Sequence, residues 1–442
     1  MNNVYFATLG CSKNEVDTEM MQGLLNPKKY NVISKPEEAE IIFVNTCGFI
    51  NDAKEESINT ILELATFKDI GQCKQLILTG CLAQRYPEEL QKEIPEIDGI
   101  MGPGYMGRIN EFLESIDGKN KVSWTNVLES DYIEGVRKTR GNVTQYLKIS
   151  EGCNNRCSYC IIPYLRGNNR SRKIEDILEE AENLVKEGAK ELILIGQNTT
   201  DYGIDLYGEY KLSLLLDQLE KIEGLHWIRL MYAYPDHFDR SLIESFKKNT
   251  KVIPYIDMPL QHGSEKILKA MNRRSNRKYI LDLVKTLREE LPHLVLRSTF
   301  IVGFPGEEEE DFEELLDFIR ILRFDRVGAF MYSKEEGTKA ALMEGQVPEE
   351  TKKLRLEKFM EVQQEISEEN LTKRIGENIE VLIEENIEDH LYAGRSYLDA
   401  PEIDGLVYVY SMDQLSINDF TTVKITESTE HDLIGVNYEY SK

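Results

Sequence analysis

The sequence predicts an α/β protein built from an N-terminal parallel-sheet α/β domain, a central partial (β/α)6 barrel and a small C-terminal antiparallel β-barrel. Short apolar runs alternate with helix-length segments over most of the 442 residues, a pattern typical of parallel sheets covered by helices. The pattern changes near residue 371, where short β-like runs follow one another without helices. We place the domain boundaries at 1–136, 137–370 and 371–442.

Four apolar runs mark the strands of the N-terminal domain, and they cover residues 3–10, 41–48, 75–81 and 99–102. Cys11, Cys47 and Cys81 each lie beside a glycine at the end of one of these runs. Because the carboxyl ends of parallel strands meet at one edge of a sheet, we expect these three thiols to form one site. Burial as structural cysteines is the alternative, and it is the preferred interpretation for the isolated Cys73.

Six further runs predict the strands of the central domain, and they cover residues 145–150, 191–197, 227–233, 253–259, 295–303 and 326–332. Six βα units are too few for a full eight-stranded barrel, so we expect an open one whose chemistry lies at the carboxyl ends of its strands. Cys153, Cys157 and Cys160 follow the first of these strands directly. A charged helix is predicted over residues 350–374.

The C-terminal domain is acidic, since residues 371–442 contain 15 Asp and Glu against 5 Lys and Arg. The whole chain carries a net charge of −25, which opposes non-specific binding to nucleic acid phosphates and favours a basic partner. A surface that serves only solubility is the alternative for this domain.

Nothing in the sequence indicates export or membrane insertion. No stretch approaches the roughly 20 apolar residues of a membrane span, and the N-terminal residues lack a charged lead and an apolar signal segment. We therefore expect a cytoplasmic protein without membrane contact. In a reducing compartment its seven cysteines are better interpreted as ligands or reactive groups than as disulfides.

The spacing C-x3-C-x2-C at Cys153, Cys157 and Cys160 supplies three thiolates and no fourth. Structural zinc sites and the clusters of electron carriers normally take four protein ligands. A [4Fe–4S] cluster bound by three thiolates keeps one iron open to a small molecule with an amino group and a carboxylate. A zinc site or a ferredoxin-like cluster is the alternative.

This cysteine loop, with Tyr159 before its last cysteine, resembles the signature of the radical S-adenosylmethionine (SAM) enzymes. The resemblance implies a [4Fe–4S] cluster whose open iron chelates SAM, and an external electron donor that drives cleavage of SAM to a 5′-deoxyadenosyl radical. It also implies SAM contacts at the ends of later strands, and the candidates besides Tyr159 are Gly196, Gln197, Gln261, Gly303 and Pro305. An ordinary strand-to-helix turn is the alternative at the two last positions, and a structural role is the preferred interpretation of His262, beside Gln261.

The whole chain resembles the methylthiotransferase family, whose members combine an N-terminal family domain, a radical SAM domain and a C-terminal TRAM domain. The resemblance implies a second [4Fe–4S] cluster at Cys11, Cys47 and Cys81, and no catalytic side chains beyond the cluster ligands. It explains the second cluster as the place from which sulfur is delivered to the substrate carbon. An electron-transfer protein with two clusters and no radical chemistry is the alternative of a different class.

Two branches of the family differ in substrate, one modifying an adenosine of tRNA and the other the β-carbon of an aspartate in ribosomal protein S12. Residues 152–172, 196–205 and 394–405 resemble the S12 branch. A basic S12, free or in the ribosome, also suits the acidic C-terminal domain. Guanidinium groups pair bidentately with carboxylates, so the candidates for substrate binding are Arg166, Arg170 and Arg172.

Overall fold

The computed structural model describes residues 1–118, 120–126, 128, 132, 134–139 and 141–437. The chain divides into two compact units. Unit 1 comprises Met1–His226 and Ser333–Leu342, and unit 2 comprises Trp227–Tyr332 and Met343–Lys442. Within the described ranges, no helix has both the length and the apolar character needed to cross a membrane.

Unit 1 begins with a six-stranded parallel sheet, as the sequence predicts. Its strands are β1 (Asn2–Thr8), β2 (Tyr30–Val32), β3 (Ile41–Thr46), β4 (Gln75–Thr79), β5 (Ile97–Met101) and β6 (Val122–Trp124), in the order β2-β1-β3-β4-β5-β6. Its helices are α1 (Ser12–Leu24), α2 (Asn51–Ala65), α3 (Phe67–Ile70), α4 (Gly80–Arg85), α5 (Pro87–Glu93) and α6 (Ile109–Ser115). The edge strands β2 and β6 were not predicted, because three residues are too few to show a period.

Strand β3 explains why the central strands of this sheet have continuous apolar sequences. Ile42 and Val44 pack in the core on one face of the sheet, whereas Ile41 and Phe43 pack in the core on the other. A parallel strand with both faces covered is apolar at every position instead of at alternate ones. The functional groups of such a sheet are therefore confined to the ends of its strands.

The second half of unit 1 contains the first two strands of the predicted barrel and the cysteine loop. Its strands are β7 (Thr144–Lys148), β8 (Ser150–Glu151), β9 (Arg170–Ser171) and β10 (Glu191–Ile195), and its helices are α7 (Ile162–Leu165), α8 (Ile174–Lys186), α9 (Ile204–Tyr207) and α10 (Leu212–Leu219). Strands β7 and β10 pair in parallel. The short strands β8 and β9 form an antiparallel pair that the sequence did not predict, with Glu151 opposite Arg170.

The segment Ser333–Leu342 belongs to unit 1 through polar contacts. The Ala340 amide donates a hydrogen bond to the Ser158 carbonyl, with 2.8 Å between nitrogen and oxygen. Glu335 accepts from Arg85 at 2.6 Å and from Lys54 at 2.8 Å. The segment is therefore attached both to the cysteine loop and to the N-terminal sheet region.

Unit 2 begins with the four remaining strands of the predicted barrel, β11 (Trp227–Leu230), β12 (Val252–Asp257), β13 (Val295–Val302) and β14 (Arg326–Met331). They pair in parallel in this order. The helices are α11 (Arg240–Lys248), α12 (Glu265–Ala270), α13 (Arg277–Glu290), α14 (Glu309–Leu322) and α15 (Glu349–Thr372), the last being the predicted charged helix. All six strands predicted for the central domain are thus present.

The rest of unit 2 is a closed five-stranded barrel. Its strands are β15 (Asn378–Glu388), β16 (Leu391–Ser396), β17 (Val407–Ser411), β18 (Phe420–Ser428) and β19 (Leu433–Asn437), in the order β15-β16-β17-β19-β18. The predicted small barrel is confirmed with one difference, since β17 and β19 pair in parallel and the other neighbours are antiparallel. Short 3-10 helices occur at Pro36–Glu38, Pro103–Arg108, Thr199–Asp201, Pro235–His237 and Ala340–Leu342.

Buried polar contacts attach this barrel to the parallel strands of the same unit. The Tyr255 hydroxyl donates to Asp404 Oδ2 at 2.6 Å, and Arg326 forms an ion pair with Asp399. The rings of Trp227 and Phe420 pack edge to face with centroids 4.6 Å apart. The barrel is therefore an integral part of unit 2.

Candidate metal centre

The sheet order of unit 1 places the ends of β1, β3 and β4 side by side, and each end carries one predicted thiol. Cys11 is the residue before α1, Cys47 directly follows β3, and Cys81 lies in the first turn of α4. A Cβ atom added at Gly10 would lie 3.0 Å from Cys47 Sγ, so glycine is needed there for the loop ends to approach each other. The structure brings the three predicted thiols to one edge of the sheet.

Burial, with smaller contributions from the neighbouring Cys81 and Cys11, raises the pKa of the Cys47 thiol to about 11. Burial also raises the pKa of Cys81. Without a metal, Cys47 and Cys81 are therefore protonated at neutral pH, although the guanidinium of Arg166 opposes the effect of burial on the pKa of Cys81. Because thiolates are the metal-binding form, a metal that binds here displaces protons and adds its positive charge to that of Arg166.

Hydrogen bonds from neighbouring side chains hold the loops that carry these thiols. The Cys47 amide donates to Ser57 Oγ at 3.0 Å, and the Ser57 hydroxyl donates to the Cys47 carbonyl at 2.9 Å. The Asn14 amide group donates to the Leu9 carbonyl at 2.7 Å, and the Thr46 hydroxyl donates to the Thr79 carbonyl at 2.6 Å. Thr46 thus joins the ends of β3 and β4, whereas Ser57 and Asn14 join two of the loops to the helices that follow them.

Gly80 permits the close packing of the loop before Cys81. Its φ is +89°, and an added Cβ would lie 2.7 Å from the Thr46 nitrogen and 2.5 Å from Asn45 Oδ1. We expect Gly80→Ala to displace Cys81 and lower the iron bound at this triad, besides the ~1–2 kcal/mol that a left-handed non-glycine residue costs. Iron content per chain and the urea midpoint measure the two effects.

Gly208→Ala is the matched control, because Gly208 has a similar φ of +74° and an added Cβ there meets nothing within 4 Å. This variant should show the backbone cost without any loss of iron. Equal iron content in the two variants would contradict the interpretation of Gly80.

Cys153, Cys157 and Cys160 lie on the loop between β8 and α7, as predicted. The Cys153 amide donates to the Gly167 carbonyl at 3.2 Å, and the Cys160 amide donates to the Cys157 carbonyl at 3.0 Å. The Asn155 amide points at Cys153 Sγ from 3.5 Å. These bonds curl the loop, and the three thiols remain half-buried instead of packing in a core.

The two groups of cysteines lie near each other in unit 1. Cys81 packs against Ile161 and Leu165, and Ile161 is the residue after Cys160. Arg166 Nε also donates to Cys81 Sγ at 3.4 Å. The end of the second cysteine loop thus contacts a thiol of the first group.

Both thiol groups suit an iron–sulfur cluster by their chemistry. All seven cysteines lie in the described ranges and are thiols. Within these ranges, no three His, Cys, Asp or Glu side chains already converge tightly enough to coordinate a single ion. A [4Fe–4S] cluster spreads its thiolate ligands over different irons, so three thiols at one sheet edge or on one loop suit its chemistry.

Arg166 is the centre of a buried polar network that sequence reasoning missed. Its guanidinium donates to Asp17 at 2.6 Å and to Asn14 Oδ1 at 2.7 Å, and it lies 3.4 Å from Glu151. Lys148 forms ion pairs with the same two carboxylates, Asp17 and Glu151. A lysine within the apolar strand run 145–150 was the available signal, since an unpaired lysine is almost never buried.

The charges of this network stabilise one another. Burial alone would raise the pKa of the Glu151 carboxyl, but the ammonium of Lys148 and the guanidinium of Arg166 outweigh it and hold this pKa well below its usual range. Burial would lower the pKa of Lys148, and Asp17 and Glu151 instead raise it. Lys148 and Glu151 are therefore both charged at neutral pH.

Gly196 and Gln197, the predicted SAM contacts in unit 1, lie beside the cysteine loop. Gln197 Nε2 donates to Glu151 Oε1 at 2.6 Å, and an added Cβ at Gly196 would lie 2.6 Å from Ser150 Oγ. Ser150 Oγ and Gln197 Oε1 are buried and make no hydrogen bond to the described residues. Orphaned polar atoms of this kind fit a bound polar ligand. Tyr159 is half-buried on the cysteine loop.

In unit 2, Gln261 has a φ of +76°, and its backbone bonds to Thr299 and Ile301 of β13 at 2.9 and 2.8 Å. Gly303 has a φ of +73° and packs against the Lys352 side chain, and its amide donates to Glu307 Oε2 at 2.8 Å. Pro305 is buried in the turn that follows. The hydrogen bonds of this turn are made within the protein. The predicted SAM contacts of these residues stay predictions.

His262 is fully buried. Its Nδ1 accepts from the Ser264 amide at 3.0 Å. Its Nε2 lies 3.3 Å from Glu307 Oε2 but makes no hydrogen bond to the described residues. A structural role for His262 stays a prediction.

The three predicted substrate arginines differ in their surroundings. Arg166 is buried in the network described above, and Arg172 is buried with ion pairs to Glu134 and to Glu180, the latter at 2.7 Å. Arg170 is half-buried, and Nη1 donates only to the carbonyls of Arg166 and Asn168, both at 3.1 Å. Of the three, only Arg170 has a guanidinium without a carboxylate partner among the described residues.

Three family models match consecutive parts of the chain. They are described as Uncharacterized protein family UPF0004 for residues 3–102, Radical SAM superfamily for residues 147–319 and TRAM domain for residues 375–437.

Solved structures show the same fold. The radical SAM methyltransferase TsrM from Kitasatospora setae superposes with a TM-score of 0.54 at 14% identity, covering 75% of this chain and 72% of that one. The cobalamin-dependent SAM radical enzyme OxsB gives 0.53 at 14% identity, covering 82% and 56%. The match of residues 147–319 to the Radical SAM superfamily, together with the cysteine loop, defines the chain as an enzyme of the radical SAM class.

Curated relatives identify the family to which the chain belongs within the radical SAM class. The ribosomal protein uS12 methylthiotransferase RimO of Clostridioides difficile is 49% identical over 99% of this chain and 100% of the relative. The RimO of Pelotomaculum thermopropionicum is 51% identical over 97% of both chains. The chain belongs to the RimO family of methylthiotransferases.

Proposed function

We propose that this protein transfers a methylthio group to the β-carbon of an aspartate in ribosomal protein S12. The observation that carries the proposal is the identity of about half of all residues, over nearly the whole chain, with curated proteins named as uS12 methylthiotransferases. Modification of tRNA adenosine, the alternative substrate, is not favoured, because these relatives are all named for uS12.

We propose that Cys153, Cys157 and Cys160 bind one [4Fe–4S] cluster together with SAM, and that the other triad, Cys11, Cys47 and Cys81, binds a second. When bound, the reduced cluster of the first triad supplies the electron that cleaves SAM to a 5′-deoxyadenosyl radical. The half-buried, curled loop of the first triad supports this assignment, as do the orphaned oxygens of Ser150 and Gln197.

We propose roles at these sites for three side chains of the polar network, Arg166, Glu151 and Lys148. Arg166 places a permanent positive charge and an N–H donor on Cys81, which stabilises that sulfur as a thiolate. Glu151 holds the Gln197 amide in one orientation through the 2.6 Å hydrogen bond, which leaves Gln197 Oε1 without a hydrogen bond to the described residues and available to bound SAM. Lys148 neutralises Glu151.

The C-terminal barrel supports a basic protein as the partner. Among its described residues, ten carboxylates are exposed against two exposed lysines, Lys373 and Lys424. Such a surface attracts a basic ribosomal protein and repels RNA phosphates. We propose an external electron donor and a cytoplasmic location, where thiols stay reduced, with S12 taken either free or in the ribosome.

We keep 1–136, 137–370 and 371–442 as the proposed domain division. It is supported by the matched family models, each of which falls inside one of these ranges.

The test is anaerobic reconstitution with iron and sulfide, followed by incubation with SAM, a reductant and either an S12 peptide or unmodified tRNA. We expect the mass of one CH₂S unit to be gained by the aspartate-containing peptide alone. A gain on tRNA alone would overturn the proposal, and the absence of 5′-deoxyadenosine would exclude radical SAM chemistry altogether.

A further inference from the structure

Unit 1 contains a cavity of about 430 Å³ beside the cysteine loop, a size typical of ligand-binding sites. Part of its wall is apolar and includes Met20, Met106 and Leu206. The remainder is charged and includes Glu151, which lies two residues before Cys153, and Arg170. A ligand in this cavity therefore meets both an apolar surface that excludes water and a limited set of charges.

Most charges that face the cavity are already neutralised within the protein. The cations Lys148, Arg166 and Arg172 all form ion pairs with carboxylates. Two cations without an ion pair among the described residues remain, Arg170 and the exposed Lys173. The cavity also contains carboxylates, and these are Glu134, Glu151 and Asp176.

Of the two remaining cations, Arg170 is the one fixed in place. It forms the short strand β9, where it is paired with Glu151 in antiparallel register. The next residue, Ser171, is anchored by Asp205, which accepts from its amide at 2.8 Å and from its hydroxyl at 2.6 Å. Because two carbonyls take only Nη1, Nε and Nη2 stay available for a bidentate carboxylate.

We propose that Arg170 binds the carboxylate of the substrate aspartate in this cavity and thereby determines the preference for an acidic peptide. This role rests on the proposed function, and it makes Arg170 the residue that distinguishes the substrate aspartate from an uncharged side chain. The antiparallel pairing with Glu151 places Arg170 beside the start of the cysteine loop, so an aspartate held by Arg170 would lie near the residues that would hold the cluster and SAM. The apolar wall strengthens the ion pair, because it excludes water.

The test compares two S12 peptides, one with the target aspartate and one with asparagine at that position, for binding to the reconstituted holoprotein with SAM. The wild-type protein should bind the aspartate peptide about tenfold or more tightly than the asparagine peptide, as for a charge-assisted bidentate pair. Arg170→Gln should bind both peptides with equal affinity, and Arg170→Lys should restore only part of the difference. The iron content of both Arg170 variants should equal that of the wild-type protein, which shows that the cysteine loop is intact.

Arg240→Gln is the matched control, because Arg240 is an exposed arginine of unit 2 whose partners are Glu244 and Glu290. It should keep the full preference for aspartate. An unchanged aspartate-to-asparagine ratio in Arg170→Gln would overturn the inference and leave the proposed function intact. If the wild-type protein modifies no S12 peptide, the proposed function fails and this inference fails with it.

Discussion

Alanine at any one of Cys153, Cys157 and Cys160 is expected to abolish 5′-deoxyadenosine formation. A cubane with two protein thiolates loses affinity and no longer presents a single open iron to SAM. The expected decrease exceeds a hundredfold, since no other side chain of the loop can replace a thiolate. The measurement is chromatography of anaerobic reactions with SAM and reductant.

Alanine at Cys11, Cys47 or Cys81 should have a different effect. We expect 5′-deoxyadenosine to form at a rate close to that of the wild-type protein, while the S12 peptide gains no CH₂S unit. Cys73→Ala is the matched control, because Cys73 is a cysteine outside both triads that is buried in the core beside the same sheet, and this variant should retain both activities. Equal loss of 5′-deoxyadenosine and of the CH₂S gain in all six triad variants would contradict separate roles for the two triads.

Arg166→Leu is expected to destabilise unit 1 strongly. Removing one partner of a buried ion-pair network leaves the others partly uncompensated, a change that typically costs about 3–5 kcal/mol. Here Asp17, Asn14 and Cys81 each lose a donor. The chain has two tryptophans, so Trp227→Phe leaves Trp124 as a fluorescence reporter of unit 1 during urea unfolding.

Lys29→Ala, made in the same Trp227→Phe protein, is the control for Arg166→Leu. Lys29 pairs with Glu114 at 2.6 Å, and both side chains are more than half exposed. Exposed pairs contribute little to stability, so the urea midpoint should not move. Identical midpoints for Arg166→Leu and its parent would show that the network contributes nothing to folding.

The positions of the strands and of the thiols follow from the sequence because they depend on local pattern. The run 41–46 is apolar at each of its first four positions because the strand is buried on both faces. The parallel connection then places Cys47 at the same sheet edge as Cys11 and Cys81. The pattern of apolar runs in the sequence thus predicts which residues meet at one edge of the folded sheet.

The polar network could not be derived in this way, because its members lie far apart in the chain. Arg166 and Asp17 are separated by 149 residues, and nothing in either local sequence specifies the other as partner. For the same reason Arg166, Arg170 and Arg172 were given the same interpretation from sequence. Only the packing distinguishes the two buried arginines from Arg170.

The parallel pairing of β17 with β19 is a further example. Their sequences, residues 407–411 and 433–437, alternate as strands of either orientation do. The choice depends on barrel closure, which places β19 between β17 and β18. Alternation alone contains no information on strand direction.

The proposed chemistry requires that each of the two thiol triads binds its own iron–sulfur cluster. Iron and sulfide analysis with Mössbauer spectroscopy of the anaerobically reconstituted protein tests it most directly, using the wild-type chain and the triple-alanine variant of each triad. We expect about eight irons per chain in the wild type and about four in either variant, all in [4Fe–4S] form. Zinc at either triad, or about four irons in the wild type with none lost from one of the variants, would contradict this requirement.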